Sequence, residues 1–355
     1  MKYFYITLMW MTVTSLHAKP YLPNDEAVLL KLDKQKVFAI KQARAVSSVS
    51  AAKGLARQFI LKASEPGYSD QYLQAEQVLA NHVHNRSDAE LLYLWAQVLQ
   101  HNHQFNEAQT QLRTILGQHP NHPPAHLMAA RMALIQARPQ VAQSHCQSLI
   151  GQLDIMTVEI CLLEVKSYQG HLHESYTRLK SILTASNPLP ETHQLWVTLM
   201  VTDMAIRLSD MEAAAEHLAV YPAFNNINYL VTWSDVKLAL NQGQEVLEKL
   251  ESLATSDKEI ENSLVLRLAM AEHQLNAQTD THKNHWQNVL ALRMAQLQER
   301  NEKLHPNELS RYHLTLKPDP EKALHWAQIN WQQAKEHQDR YLLEKAQAKV
   351  QEMMN

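Results

Sequence analysis

Glycine is scarce, with 6 among 355 residues. That scarcity speaks against loops whose bare backbone cradles phosphate, and no GxGxxG, P-loop or GxSxG pattern occurs. Only two cysteines are present. They form no CxxC pair, so nothing suggests a thiol-redox enzyme. No HExxH and no Cys/His zinc spacing occurs either. A surplus of positive charge is missing too: the formal net charge is -3, which supplies no overall basic field for nucleic acid. Beyond the N-terminus no apolar run approaches about 18 residues, so no later segment reads as a membrane span. Convincing period-two alternation is absent as well, which speaks against half-buried strands. Carboxylate pairs such as Asp25-Glu26 and Glu259/Glu261 sit on polar stretches where solvation explains them.

What remains is helix-forming. Hydrophobic residues make up 45% of the chain and charged residues 19%, a globular balance rich in Ala, Leu, Gln, Glu, Lys and Met. The first eighteen residues differ. Lys2 precedes an apolar stretch from Tyr3 to Leu16, and Ala18 offers a small residue for cleavage before Lys19-Pro20. A charged start, a short apolar core and a small-residue exit define a secretory signal over residues 1–18. Leu16 is larger than the ideal residue at its place, so an uncleaved anchor stays open. The expected location is the periplasm or the exterior, with no membrane span once the signal is removed.

One segment sets the architecture. Leu92, Trp95-Ala96 and Leu99 recur at helical spacing, then Phe105, Ala108 and Leu112, then Pro120. These residues fill the large, small and terminating slots of the tetratricopeptide (TPR) signature. Ala96 and Ala108 are small, so two helices can approach closely there. Pro120 cannot continue a helix and ends the unit. The pattern returns at about 34-residue intervals. His126, Ala129-Ala130 and Ala133 with Ala142 and Cys146 form a second copy. Glu159, Leu162-Leu163 and Lys166 with Ser175 and Leu179 form a third, closing at Asn187-Pro188. A looser fourth runs from Glu191 to Pro222. The expected fold is therefore all-α, a right-handed solenoid of stacked TPR-like hairpins. Its expected divisions are helical pairs over 19–84 and repeats over 85–222, at about 89–122, 123–155, 156–190 and 191–222. Looser pairs and a C-terminal cap follow over 223–355, with 321–355 read as helical.

Further blocks widen the match. They are Tyr21-Leu-Pro-Asn-Asp-Glu-Ala-Val-Leu, Ala56-Arg-Gln-Phe-Ile-Leu-Lys-Ala, Gln104-Phe-Asn-Glu-Ala, the Cys146/Cys161 pair, and Asp319-Pro-Glu-Lys-Ala-Leu-His-Trp-Ala-Gln-Ile-Asn-Trp. Through them the chain resembles a group of exported bacterial TPR-containing proteins of uncharacterised function. The resemblance implies an exported location and a repeat architecture, and it brings no catalytic residues.

Three sets of side chains are candidate sites. Cys146 in the second repeat and Cys161 in the third fall on helices that stack side by side. A disulfide suits an exported chain, and two buried thiols acting as small apolar residues are the alternative. The pairs His101/His103 and His171/His173 lie in equivalent turns. Imidazoles at that spacing could share a metal ion, although a firm site needs three or four convergent ligands. The bland alternative is solvated loop histidines. In a TPR array the first helix of each hairpin lines the inner surface. The register places Tyr93, Gln97, His101, Leu127, Arg131, Ile135, Ile160, Glu164, Tyr168, Leu199, Asp203 and Arg207 there. Such a mixture of aromatic, aliphatic and oppositely charged groups suits an extended peptide or a partner helix. Trp196, Trp233, Trp286, Trp326 and Trp331 read as packing residues. The functional expectation is a scaffold that binds a protein or peptide, without cofactor or catalysis. A metal-handling accessory protein using the histidine pairs is the alternative.

Overall fold

The computed structural model describes residues 48–84, 87–184, 189–254, 259–279, 284–299 and 305–354. The signal over 1–18, the segment through residue 47 and the Asn187-Pro188 terminator lie outside these residues. Among the described residues there are seventeen helices and no strand beyond one isolated bridge. In chain order they are α1 (Val49–Ala63), α2 (Gln71–Ala80), α3 (Ala89–His101), α4 (Phe105–Gln118), α5 (Pro123–Ile135) and α6 (Pro139–Gln147). Then follow α7 (Ile155–Tyr168), α8 (Leu172–Leu183), α9 (Glu191–Arg207), α10 (Met211–Val220), α11 (Ile227–Ala239) and α12 (Gly243–Glu251). The last are α13 (Asn262–Thr279), α14 (His285–Glu299), α15 (Pro306–Thr315), α16 (Pro320–Gln333) and α17 (His337–Met354). The chain is thus an all-α solenoid of helical hairpins.

The first helices of successive hairpins start at residues 89, 123, 155, 191, 227 and 262, so the repeat persists beyond the copies legible as motif. The reason is visible in the core. Ala96 and Ala108 are fully buried, and with Leu92, Leu99 and Leu112 they close α3 onto α4. Ala130, Ala133 and Ala142 do the same for α5 and α6. The core is consequently a string of clusters along the array and has no single centre. Gly243 lets α12 reach α13: a Cβ there would stand 2.7 Å from the Gln274 side chain and 3.3 Å from the Ala271 carbonyl.

Each of five successive hairpins turns in the same way. His103, Ala137, Gly170, Ser209 and Asn241 all carry positive φ, between 56° and 95°. The next N–H then bonds back five residues: Gln104 to Leu99, Arg138 to Ala133, His171 to Lys166, Asp210 to Ala205 and Gln242 to Lys237. This Schellman closure satisfies carbonyls that a helix end would otherwise leave open. Only one of the five residues is glycine, so the fold imposes a left-handed turn on side chains that disfavour it.

The array curls until the turn of its first hairpin meets the start of α11 and the approach to α13. The Gly67 N–H donates to both carboxylate oxygens of Glu261 (2.8 and 3.0 Å), and the Ser69 N–H donates to one of them (3.2 Å). The Ile227 N–H donates to the Ser64 carbonyl (2.9 Å). Farther on, Asp235 of α11 takes two bonds from Arg267 of α13 (3.0 and 2.6 Å) and one from Arg311 of α15 (3.2 Å).

The stretch expected to be helical from residue 321 onward is interrupted once. The chain breaks between α16 and α17 at Ala334-Lys335-Glu336, three good helix formers. Ala334 is fully extended at φ -128°, ψ 136°. Asp339 restarts the helix by accepting the Glu336 N–H (3.0 Å), the reciprocal half of a capping box, while Asn330 donates to its other oxygen (2.7 Å).

Candidate functional site

The inner helices α3, α5, α7 and α9 face α11 across the curl, and the 336–339 turn enters between them. They enclose a cavity of about 650 Å³. Tyr93, Arg131, Glu164 and Asp203 line it, together with the expected Leu127, Ile135 and Leu199. Asn228 and Thr232 of α11 form the opposite wall, and Glu336, Gln338 and Asp339 close one side. Gln97 and His101 face a second, wider opening of about 1420 Å³ between the first hairpin and α13 to α17. Ile160, expected on the inner face, is fully buried in the core.

Charge is organised along this face. Arg131 donates through Nη1 to Glu164 (3.0 Å) and through Nη2 pairs with Glu336 (2.8 Å). Its side chain is 42% exposed, but that exposure opens onto the cavity. Arg207 is fixed more tightly. It donates to the Ser167 hydroxyl (2.9 Å) and carbonyl (2.5 Å), approaches Asp203 (3.4 Å), and lies 4.1 Å over the Tyr168 ring. Arg207 and Tyr168, expected on the inner face, pack on each other at the ends of α9 and α7 and do not line the cavity. Burial pushes the Glu164 and Asp203 carboxyls above the ordinary carboxylate range; Arg131 and Arg207 partly offset this, and Glu336 adds to it. Burial likewise holds His337 below the usual imidazole value.

Cys146 of α6 and Cys161 of α7 are disulfide-bonded, with Cα atoms 5.7 Å apart. The bond ties the second hairpin to the third, and both cysteines border the cavity.

The histidine pairs do other things. His101 stacks on Tyr72 at 3.6 Å, nearly parallel, and His103 meets the edge of Phe105 at 5.6 Å. Burial lowers the affinity of His101 for protons, and repulsion from His103 and His305 lowers it further. His171 stands at the N-cap position of α8 without a side-chain capping bond and lies 3.3 Å from Glu174 at the surface. His173 does not share the turn with it, contrary to the spacing-based expectation. It falls inside the first turn of α8, exposed, and its carbonyl accepts the Thr177 hydroxyl (2.9 Å) as part of the helix. Residues two apart on a helix do not face each other, so His171 and His173 are poorly set to share an ion. Among the described residues no group of three or more His, Cys, Asp or Glu is placed to hold a metal ion, at either histidine pair or elsewhere. The tryptophans mostly pack: Trp233 and Trp326 are buried, and Trp286 donates to Glu251 (2.8 Å).

Two contributors to the face carried no sequence signal. Thr232 and Asn228 belong to one of the looser pairs expected over 223–355, where no motif marks which residues line the face. The 334–339 segment was hidden inside a continuous helical pattern.

No protein-family model matches the chain, and no curated protein matches it. Among solved structures the chain is similar to the TPR domain of P58(IPK) at 11% identity, over 86% of this chain and 99% of that one, with a TM-score of 0.27. An overlap that loose adds nothing to the fold, which rests on the hairpins described above. Among the described residues no helix is long and apolar enough to cross a membrane.

Proposed function

We propose that this protein is an exported helical-repeat scaffold that binds a protein or peptide partner through its inner face, and that it works without catalysis. The observation that carries the reading is the 650 Å³ cavity on the inner face, where aromatic, aliphatic and paired charged groups from four successive hairpins converge. Such a lining provides apolar anchors for affinity and fixed charges for orientation. Burial raises the carboxyls beside it, which makes unpaired charge costly there and favours a partner that brings its own polar complement.

Export is part of the proposal. It is supported by the charged, apolar and small-residue order of residues 1–18 and by the Cys146–Cys161 bond, which suits an oxidising compartment.

Thr232→Trp tests the binding reading. The substitution fills the cavity from the α11 wall and leaves every ion pair in place. A partner recovered with the wild-type protein is expected to be lost with the variant at unchanged thermal stability. Equal recovery with both proteins would refute binding through this face.

A further inference from the structure

The segment between α16 and α17 occupies the inner face as a ligand would. Three contacts hold it. The Lys335 N–H donates to the Ile135 carbonyl (2.7 Å). Glu336 pairs with Nη2 of Arg131. Ala334 packs against the cluster that includes Leu99, Met128, Met132 and Ile135. Each contact answers a need of the array itself. The Ile135 carbonyl belongs to a helix end, and the residue four ahead of it is Pro139, which has no N–H to offer. Glu164 engages only one terminal nitrogen of Arg131, leaving the other aimed at the cavity. Ala-Lys-Glu itself favours helix, so the local signal for the break is confined to the Asp339 cap on the Glu336 N–H. The break is held open by these contacts and by the Asn330–Asp339 bond.

We infer that residues 334–336 are an intramolecular plug, and that a partner protein enters the inner face by replacing them with an extended segment of its own. That segment would carry a small apolar residue, a free backbone N–H on the next residue, and a carboxylate on the one after. Extended peptides satisfy backbone acceptors with their own N–H groups, and a guanidinium selects carboxylate by geometry and charge. Access is then gated: the fraction of molecules with the plug withdrawn sets the apparent affinity.

The inference rests on the binding reading above, and the test separates the two. The probe is a labelled peptide of this chain's residues 332–338, added to full-length protein. Glu336→Lys places a positive charge against Arg131, and Lys335→Pro removes the donated N–H. Either variant is expected to raise hydrogen exchange over 334–339. The peptide is expected to bind either variant about tenfold or more tightly than wild type. Arg131→Gln added to the released variant is expected to abolish that gain. Unchanged exchange in both variants would show that these contacts do not hold the plug. Released variants that ignore the peptide, or bind it equally without Arg131, would overturn the inferred ligand. Dimerisation of the released variants would make a second copy the occupant and overturn it too. Success with the peptide alongside failure of the Thr232→Trp comparison would sink the partner and keep the plug.

Discussion

Asp235 is the point where the second half of the array is most exposed to a single substitution. Its carboxylate joins three inner helices, accepting two hydrogen bonds from Arg267 and one from Arg311. Burial alone would raise its pKa, yet the two guanidiniums outweigh burial and hold it below the usual range. Asp235→Ala removes that acceptor and strands the cations unequally. The Arg267 side chain is only 4% exposed and would keep a single partner, the Ser263 carbonyl at 3.0 Å. Arg311, 19% exposed, borders the wide opening and can turn toward water. Removing one member of a buried pair costs about 3–5 kcal/mol. One well-buried and one escapable guanidinium place the cost near the low end, about 3 kcal/mol. Urea unfolding followed by circular dichroism would read it, with the loss in the part of the array beyond α10. Replacing all three residues with Leu, Met and Met would cost less than the single change, because no charge is stranded. A loss below about 1 kcal/mol for Asp235→Ala would refute the reasoning, since that is the range of a solvated surface pair.

Opening the Cys146–Cys161 bond with a reductant is expected to cost about 3 kcal/mol in the chain-entropy treatment of a loop spanning 15 residues, read as a lower urea midpoint. Ala137→Gly is expected to stabilise by about 0.5–1 kcal/mol, because the turn at φ 56° strains alanine and not glycine; a thermal melt checks it. Buried His217, 2.8 Å from the Tyr176 hydroxyl, is held below its ordinary value of 6.5, by burial first and Lys180 second. The unfolded chain therefore takes the proton first as pH falls below 6.5, and the stability His217 contributes is lost as pH drops through its folded value. His217→Gln is expected to flatten that decline, so the stability gap between variant and wild type narrows in acid; a constant gap would contradict it.

The hairpins were legible where packing demands particular sizes. Ala96 and Ala108 announce a close helix crossing because nothing larger fits, and Pro120 announces its end. The places of the turns were legible but their left-handed geometry was not, since such a cap is recognised by glycine and four of the five carry His, Ala, Ser or Asn. His171 and His173 do not match His101 and His103, because both hairpins start their second helix two residues after the left-handed residue, His103 or Gly170, which puts His171/His173 three positions further along. The hairpin at Ile227 carries no motif, yet its period and its Asp235 tie keep it in the array. Register alone named Tyr93, Arg131, Glu164 and Asp203 of the cavity lining but also Ile160, which is in the core, and it said nothing of the lining's occupancy. Ala334-Lys335-Glu336 reads as helix by residue propensity, with only Asp339 as a local cap against it. Its extension is fixed by Arg131 and Ile135, some 200 residues earlier, and long-range contacts of that kind leave no trace in a local pattern.

The central claim is that the inner face, and not the outer one, is where this protein meets its partner. Placing a photo-activatable cross-linker at Leu199, on the cavity wall, and separately at Arg113, on the exposed face of α4, tests it in the native cell. The account predicts one defined polypeptide cross-linked from Leu199, absent from Arg113 and displaced by Thr232→Trp. The same product from both positions, or from Arg113 alone, would contradict it.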